Sequence, residues 1–418
     1  MEVEPIPEQV QEKIEQVDSA DLVVGVIAEL DQEGLAAVCD ALQTLHGSPR
    51  VVVLRDDRAP KPDQSTVAEA EPSASLCHLI RWPLLGSATP GTPVVGTSSA
   101  YQSVFAASEK FGARACCVIA SSLETATPGW VRELAQPLVE KDLDLVVPIY
   151  ARRKFEGLLN SSIISPLMRC LYGKRIHNPM GPDLGISRRL FQKMLGPERG
   201  AGVGGNSVHS LASVAPAALC ENLQVCEVYL PARIYPPTDW MNISSLVAQI
   251  LSPIFLDMER NAACWQRIRT SVSVPAIGEP LLVSQDTGTV DISRMMESFQ
   301  LGIRDLQEIW GLVLPPSTLF ELRKLARLPP EQFRMPDELW VRIVYDFALA
   351  HHLRTINRDH LLKSMTPLYL AWVSSYARDL ETAGRTASEE RLERLSAAYE
   401  AGKTYIVSRW RWPDRFNP

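Results

Sequence analysis

Between Tyr150 and Ser187 the chain concentrates side chains able to do chemistry, in the run YARRKFEGLLNSSIISPLMRCLYGKRIHNPMGPDLGIS. Arg152, Arg153 and Lys154 form a cationic triplet. Such a triplet could clamp a carboxylate or phosphate through charge-assisted hydrogen bonds, or stay solvated in a loop. Asn160 could hydrogen-bond a small molecule or cap the helix that begins there. Asp183 lies in a Gly-Pro-Asp-Leu-Gly turn. A carboxylate there could act as acid/base or hold a hydroxyl, or it could simply satisfy the N–H groups of the turn. His177 could donate to a phosphate or be an incidental loop residue.

These residues need a scaffold, and the flanking sequence predicts one. Apolar runs at Leu22–Ala28, Arg50–Leu54 and Ala115–Ala120 predict buried strands, and Leu143–Pro148 and Val225–Leu230 continue the strand pattern. Helical periods at 6–18, Leu35–Leu45, Thr97–Phe111 and Pro128–Glu140 fall between them. Strand–helix–strand with short connections is a βαβ unit of a parallel sheet. Residues 58–75 read as an exposed loop. Beyond about residue 240 strand signals vanish. Helical periods follow at Ser244–Arg269, Ile292–Trp310, Thr318–Ala326, Asp337–His352, His360–Thr382 and Ser388–Trp412. The expected architecture is therefore an α/β domain over 1–240 and a helical domain over 241–418.

Composition narrows the function. With 418 residues, 46% hydrophobic and 22% charged, the chain is long enough for two soluble domains. A net charge of −7 argues against nucleic acid, which needs a clustered basic surplus. The basic run Arg409–Arg411 reads as a solvated face, and Trp410 with Trp412 reads as docking the last helix or an oligomer partner. The acidic start lacks a signal-peptide pattern, and no run of about 18 apolar residues predicts a membrane span. Eight scattered cysteines without CxxC or zinc spacing read as buried reduced thiols of a cytoplasmic protein. His351 and His352 are adjacent, point to different faces of a helix, and do not suggest a metal site with His360.

Ligands of an open α/β sheet bind at the C-terminal ends of its strands. Here those tips are Ala28-Glu29, Asp56-Asp57, Ala120–Glu124 and Tyr150–Glu156. With ADLVVGVIA (Ala20–Ala28), TPGW (Thr127–Trp130) and the central block, the chain resembles nucleotide-sugar glycosyltransferases of the GT-A fold. The resemblance is to the mannosylglycerate synthase-like branch and its bacterial family 2 relatives, over nearly the whole chain. It implies a Rossmann-like, mostly parallel sheet, an NDP-sugar donor and a small, anionic acceptor. Asp183 would be the catalytic or sugar-orienting carboxylate. Arg152, Lys154, Glu156 and Asn160 would hold the acceptor. Glu29, Asp56, Asp57 and Ser122 would face the nucleotide sugar. A homo-oligomer through the helical domain is a further expectation.

The departures bear on the chemistry. The family's Asp-X-Asp binds Mg²⁺ or Mn²⁺, which neutralises the departing diphosphate. Its positions here are Ala120 and Ser122, with Glu124 the nearby carboxylate, and a third ligand, His, is replaced by Tyr235. The Gly-Lys-Gly that contacts the donor is replaced by Gly96-Thr97-Ser98. No metal is therefore expected. Two readings stay open: a metal-independent transferase, or a pseudoglycosyltransferase serving as a binding or regulatory subunit. A nucleotidyltransferase would need a Gly-rich phosphate loop and a metal-binding acid, and neither is visible.

Overall fold

The computed structural model describes residues 17, 19–27, 32–56, 77–82, 98–120, 128–196, 210–232, 238–281, 290–381 and 385–413. Its strands are β1 Leu22–Val26, β2 Val51–Asp56, β3 Cys77–Trp82, β4 Ala115–Ile119, β5 Leu145–Tyr150, β6 Lys174–Arg175, β7 Leu184–Ser187, β8 Val225–Leu230, β9 Val272–Ser273 and β10 Ala276–Ile277. The chain divides into two compact units that interleave in sequence. The first comprises Met1–Ala151, Asn178–Ile234 and Val274–Leu281; the second comprises Arg152–His177, Tyr235–Ser273 and Leu282–Pro418.

The first unit is an α/β layer structure around an eight-stranded sheet, ordered β10-β8-β5-β7-β4-β1-β2-β3. Every pairing is parallel except those of β7, which runs antiparallel between β4 and β5. All five residues of β1 and of β4 are buried, which explains their continuous apolar runs. Helices Gln32–Gln43 and Pro128–Lys141 pack together, while Ser98–Lys110 packs on β1, β4 and the helix Arg188–Leu195. Gly25 lets Ser98–Lys110 approach β1, since a Cβ there would sit 2.2 Å from Val104 Cγ2.

Five strands escape the sequence reading: β3, β6, β7, β9 and β10. β3 is an edge strand whose His78, Arg81 and 40%-exposed Leu79 break the apolar run. β9 and β10, two residues each, correct the expectation that strands end near residue 240. They are too short to show a period. The helical period at 6–18 and the loop at 58–75 lie outside the described residues.

The second unit is helical around an aromatic core. Trp265, Trp310, Trp340, Trp372, Tyr345, Tyr369, Tyr376 and Tyr399 are all under 2% exposed. Several long expected helices are divided. Ser244–Arg260 gives way to Ala262–Trp265, and Thr366–Asp379 begins afresh with a proline in its first turn. Gly402 separates Arg385–Ala401 from Lys403–Arg411, and a Cβ on it would lie 3.2 Å from Tyr345 and Val341. Buried arginines bolt these last helices down. Arg169 binds Glu393 at 2.7 Å and Glu400 at 2.9 Å, and Arg391 binds Asp337 at 2.6 Å. Arg409, read above as part of a solvated face, is buried against Asp346 at 2.6 Å. Trp410 packs edge-on to Trp265 and stacks on His352 at 4.2 Å, while Trp412 stays 59% exposed.

Six cysteines are free thiols. Cys220 and Cys264 are not among them, against the expectation of eight reduced thiols. No helix among the described residues is long and apolar enough to cross a membrane.

Two predictions follow from packing. Ala at position 185 of β7 would place its Cβ 2.7 Å from Leu138 Cδ1 and 3.0 Å from the Leu134 carbonyl. Gly185→Ala should lower stability by about 1–3 kcal/mol in urea unfolding. In the second unit His351 is fully buried against Phe255, 3.5 Å from Glu259 Oε1. Burial holds His351 and His352 below their ordinary value, with Glu259 opposing. Their stabilisation is present above the unfolded imidazole value of about 6.5 and is lost as pH falls through the lower folded values. Thermal melts should therefore show stability falling below about pH 6.5, and His351→Leu should flatten that slope.

Candidate functional site

Strand order places the candidate site. From β1 the chain proceeds outward to β2 and β3, then returns to lay β4 on the opposite side of β1. The order reverses between β1 and β4, and a crevice outside their C-terminal ends is the usual ligand position in such sheets. The two tips are held together: Val26 is in register with Ile119, and the Ile27 N–H donates to the Ile119 carbonyl at 2.8 Å.

The reversed strand β7 delivers the next component. Leu184 pairs with Val118, so the residues entering β7 lie where its parallel neighbours exit. Asn178–Asp183 is thereby carried to the ligand rim of the sheet. The loop is fixed at several points. Asn178, 3% exposed, donates its side-chain amide to the Pro148 carbonyl at 2.7 Å. β7 pairs with β5 only at Leu145 and Val146, so this amide takes over beyond the ladder. The Gly181 N–H donates to the Asn178 carbonyl at 3.0 Å, and Tyr101 donates its hydroxyl to the Pro182 carbonyl.

Asp183 is the centre of this arrangement. It is 0% exposed. Its Oδ1 accepts the Ala120 N–H at 2.8 Å, and its Oδ2 accepts the Tyr150 hydroxyl at 2.6 Å. The Tyr150 ring packs on Trp130, centroids 5.6 Å apart. The TPGW tryptophan, the tyrosine that opens the central block and the Gly-Pro-Asp turn thus form one buried chain ending on the tip of β4. Each carboxylate oxygen of Asp183 thus meets a protein donor, one a backbone N–H and the other a hydroxyl.

The metal expected of the family meets a poor donor set. Ala120 has no ligating side chain, and both Asp183 oxygens already accept hydrogen bonds. Among the described residues no group of three His, Cys, Asp or Glu could hold a metal ion. The described residues at the β4 tip supply no donor set that fits Mg²⁺ or Mn²⁺. Glu29, Asp57, Ser122, Glu124, Tyr235 and the Gly96-Thr97 pair lie outside the described residues; Asp56 ends β2.

The other named residues belong to the second unit. Arg152 is half-buried, donates from Nη1 to Ser161 Oγ at 3.2 Å, and has no ion pair among the described residues. Gly157, at φ +60, makes room for it; a Cβ there would lie 2.8 Å from Arg152 Nη1. Arg153 is occupied by Glu156, whose carboxylate lies 3.3 Å from its guanidinium and also accepts the Arg153 N–H. The Lys154 carbonyl accepts from Tyr376, and its ammonium lies 5.2 Å from the Phe155 ring centroid. Asn160 does not cap a helix. It opens a π-helical turn, Asn160–Ile164, whose N-cap is Leu159, and donates to the His177 carbonyl at 2.7 Å. The Ser162 carbonyl of this turn accepts from Tyr399 at 3.0 Å. Asp239 accepts from Asn242 at 2.7 Å in a local turn, and Trp240 packs near Tyr369.

Sequence reasoning missed Tyr150, Tyr101 and Asn178 as partners of the Asp183 loop. A signal existed for Tyr150, a polar residue that closes a strongly apolar run.

No family model matches the chain, and no curated protein matches it. Solved structures similar to it include glucosyl-3-phosphoglycerate synthase from Mycobacterium tuberculosis in complex with phosphoglyceric acid, at 18% identity and a TM-score of 0.35, over 60% of this chain and 83% of that one. The same enzyme with Mn²⁺, UDP-glucose and phosphoglyceric acid is similar at 17% identity and a TM-score of 0.36, over 60% and 84%. A further mycobacterial protein is similar at 19% identity and a TM-score of 0.36, over 60% and 78%.

Asp183→Ala would bare the Ala120 N–H and the Tyr150 hydroxyl, at about 1–3 kcal/mol for each donor. Unfolding measurements should show a larger loss for Asp183→Ala than for Tyr150→Phe. The two changes should be coupled by at least about 0.5 kcal/mol in a double-mutant cycle.

Proposed function

We propose that the chain is a glycosyltransferase-type protein that binds a nucleoside-diphosphate sugar at the β1–β4 tips without a divalent metal. The observation that carries the reading is the reversal of strand order between β1 and β4, with the motif-bearing loop delivered to the same rim by β7. The residue resemblance supplies the ligand class. Glu29, Asp56, Asp57 and Ser122 are the proposed donor contacts. Arg152, with Lys154, Glu156 and Asn160, is the proposed acceptor side. The Arg152 guanidinium, braced by Ser161 and free of a carboxylate partner among the described residues, supports recognition of an anionic acceptor.

A second reading is binding without turnover. It is favoured by the placement of Asp183, whose two oxygens are occupied by Ala120 and Tyr150. With no metal ligand at Ala120 either, charge stabilisation worth about 3 kcal/mol per missing group is lost from the transition state. A pseudoglycosyltransferase acting as a binding or regulatory subunit would keep the fold and the pockets.

Calorimetry with UDP- and GDP-sugars, with and without Mn²⁺, tests metal-independent donor binding, and a sugar-transfer assay separates the two readings. Donor binding that is indifferent to Mn²⁺ is the expected result; binding that requires Mn²⁺ would overturn it. Arg152→Ala should weaken binding of glycerate or its phosphate at least about tenfold, the equivalent of about 1.4 kcal/mol. Transfer of sugar from any donor would exclude the second reading.

A further inference from the structure

Two thiols of the first unit stand apart from the other cysteines. Cys39 lies in the helix Gln32–Gln43 and Cys77 opens β3, and their side chains are hydrogen-bonded to each other. Both are free thiols. The helix packs on the strand, and Cys39 packs on the core cluster that contains Cys77. Their exposure is unequal. Cys77 is 2% exposed, whereas Cys39 is only half-buried, so Cys39 is the more accessible residue of the two. The remaining free thiols lack this arrangement. Cys116 and Cys117 are successive strand residues on opposite faces, both 0% exposed. Burial pushes the Cys170 thiol up to about 11 and the Cys226 thiol up to about 12.

We propose that Cys39 and Cys77 form a redox pair, in which Cys39 attacks a small-molecule disulfide and Cys77 resolves the adduct into an intramolecular disulfide. The pair is independent of the donor and acceptor sites. In the first step the Cys39 thiolate attacks one sulfur of the small disulfide. That S–S bond breaks and one thiolate leaves, taking up the proton that Cys39 released. In the second step Cys77 loses its proton and attacks Cys39 Sγ, expelling the other small thiol, which takes that proton. Two protein thiols are oxidised by two electrons, and one small disulfide is reduced to two thiols.

The electrostatics fit the order of events. The hydrogen bond from Cys77 favours the thiolate at Cys39 and lowers its value, with burial and Asp40 opposing. The same hydrogen bond, with burial, raises Cys77 and keeps it protonated until its partner is modified. An accessible attacking thiol beside a buried resolving thiol is the arrangement that makes exchange selective. Closing the pair draws the sulfurs to about 2.05 Å. It would tie the helix covalently to the edge strand of the sheet.

The test incubates the full chain with oxidised glutathione, followed by non-reducing peptide mapping by mass spectrometry. The expected product is a Cys39–Cys77 linked peptide, reversed by dithiothreitol. Cys77→Ser should instead accumulate glutathione on Cys39, and Cys39→Ser should leave Cys77 unmodified. On the unmodified protein, iodoacetamide at neutral pH should label Cys39 at least about tenfold faster than Cys116. The proposal is overturned if the unmodified protein holds a stable Cys39–glutathione adduct with no link to Cys77. It is equally overturned if Cys39 reacts no faster than Cys116. Neither readout depends on a variant folding.

Discussion

A buried carboxylate fixes the rim of the sheet. Asp183 has no contact with solvent, so its charge has to be met by protein donors. It takes the Ala120 N–H from the tip of β4 and the Tyr150 hydroxyl from the end of β5. Those strands are not neighbours at that level, because β7 separates them and ends its pairing with β5 at Val146. The carboxylate bridges the gap left by the departing ladder. The spacing of the two tips, and hence any crevice outside them, depends on it.

The same constraint shapes the chemistry. Among the described residues this tip offers an alanine and a carboxylate whose two oxygens both accept hydrogen bonds, a poor set for a hard cation. The cationic triplet follows β5 and belongs to the second unit. Of the triplet, Arg153 is occupied by Glu156, while Arg152 is braced by a serine and a glycine turn with no carboxylate beside it among the described residues. Three neighbouring positive charges therefore have unequal roles, a distinction that depends on side-chain partners and not on residue type. A second buried carboxylate, Asp144, shows the contrast across the sheet. It stands at the opposite end, before β5, and accepts from Ser187, Arg189 and the Gln224 N–H. There it closes the bottom of the sheet, where ligands do not bind.

Much of the fold was legible because burial writes itself into residue type. β1 and β4 are covered on both faces and appear as unbroken apolar runs. The helical character beyond residue 240 was legible from its period. Edge strand β3 was not, since one side of an edge strand meets solvent and its residues mix. β9 and β10 were too short for any period. Arg409 looked like solvent-facing charge because its partner Asp346 lies 63 positions away in sequence.

The sequence by itself determined the alternation of buried strands with helices, the turn chemistry around Asp183 and the absence of an Asp at position 120. These follow from local propensity and side-chain type, which need no partner to be read. Only the tertiary structure decided that β7 is inserted antiparallel and that Asp183 therefore reaches Ala120 and Tyr150. It also decided that Arg152–His177 joins the helical unit and that Cys39 meets Cys77. Each is a meeting of residues distant in the chain, and neither composition nor periodicity encodes which distant groups satisfy one another.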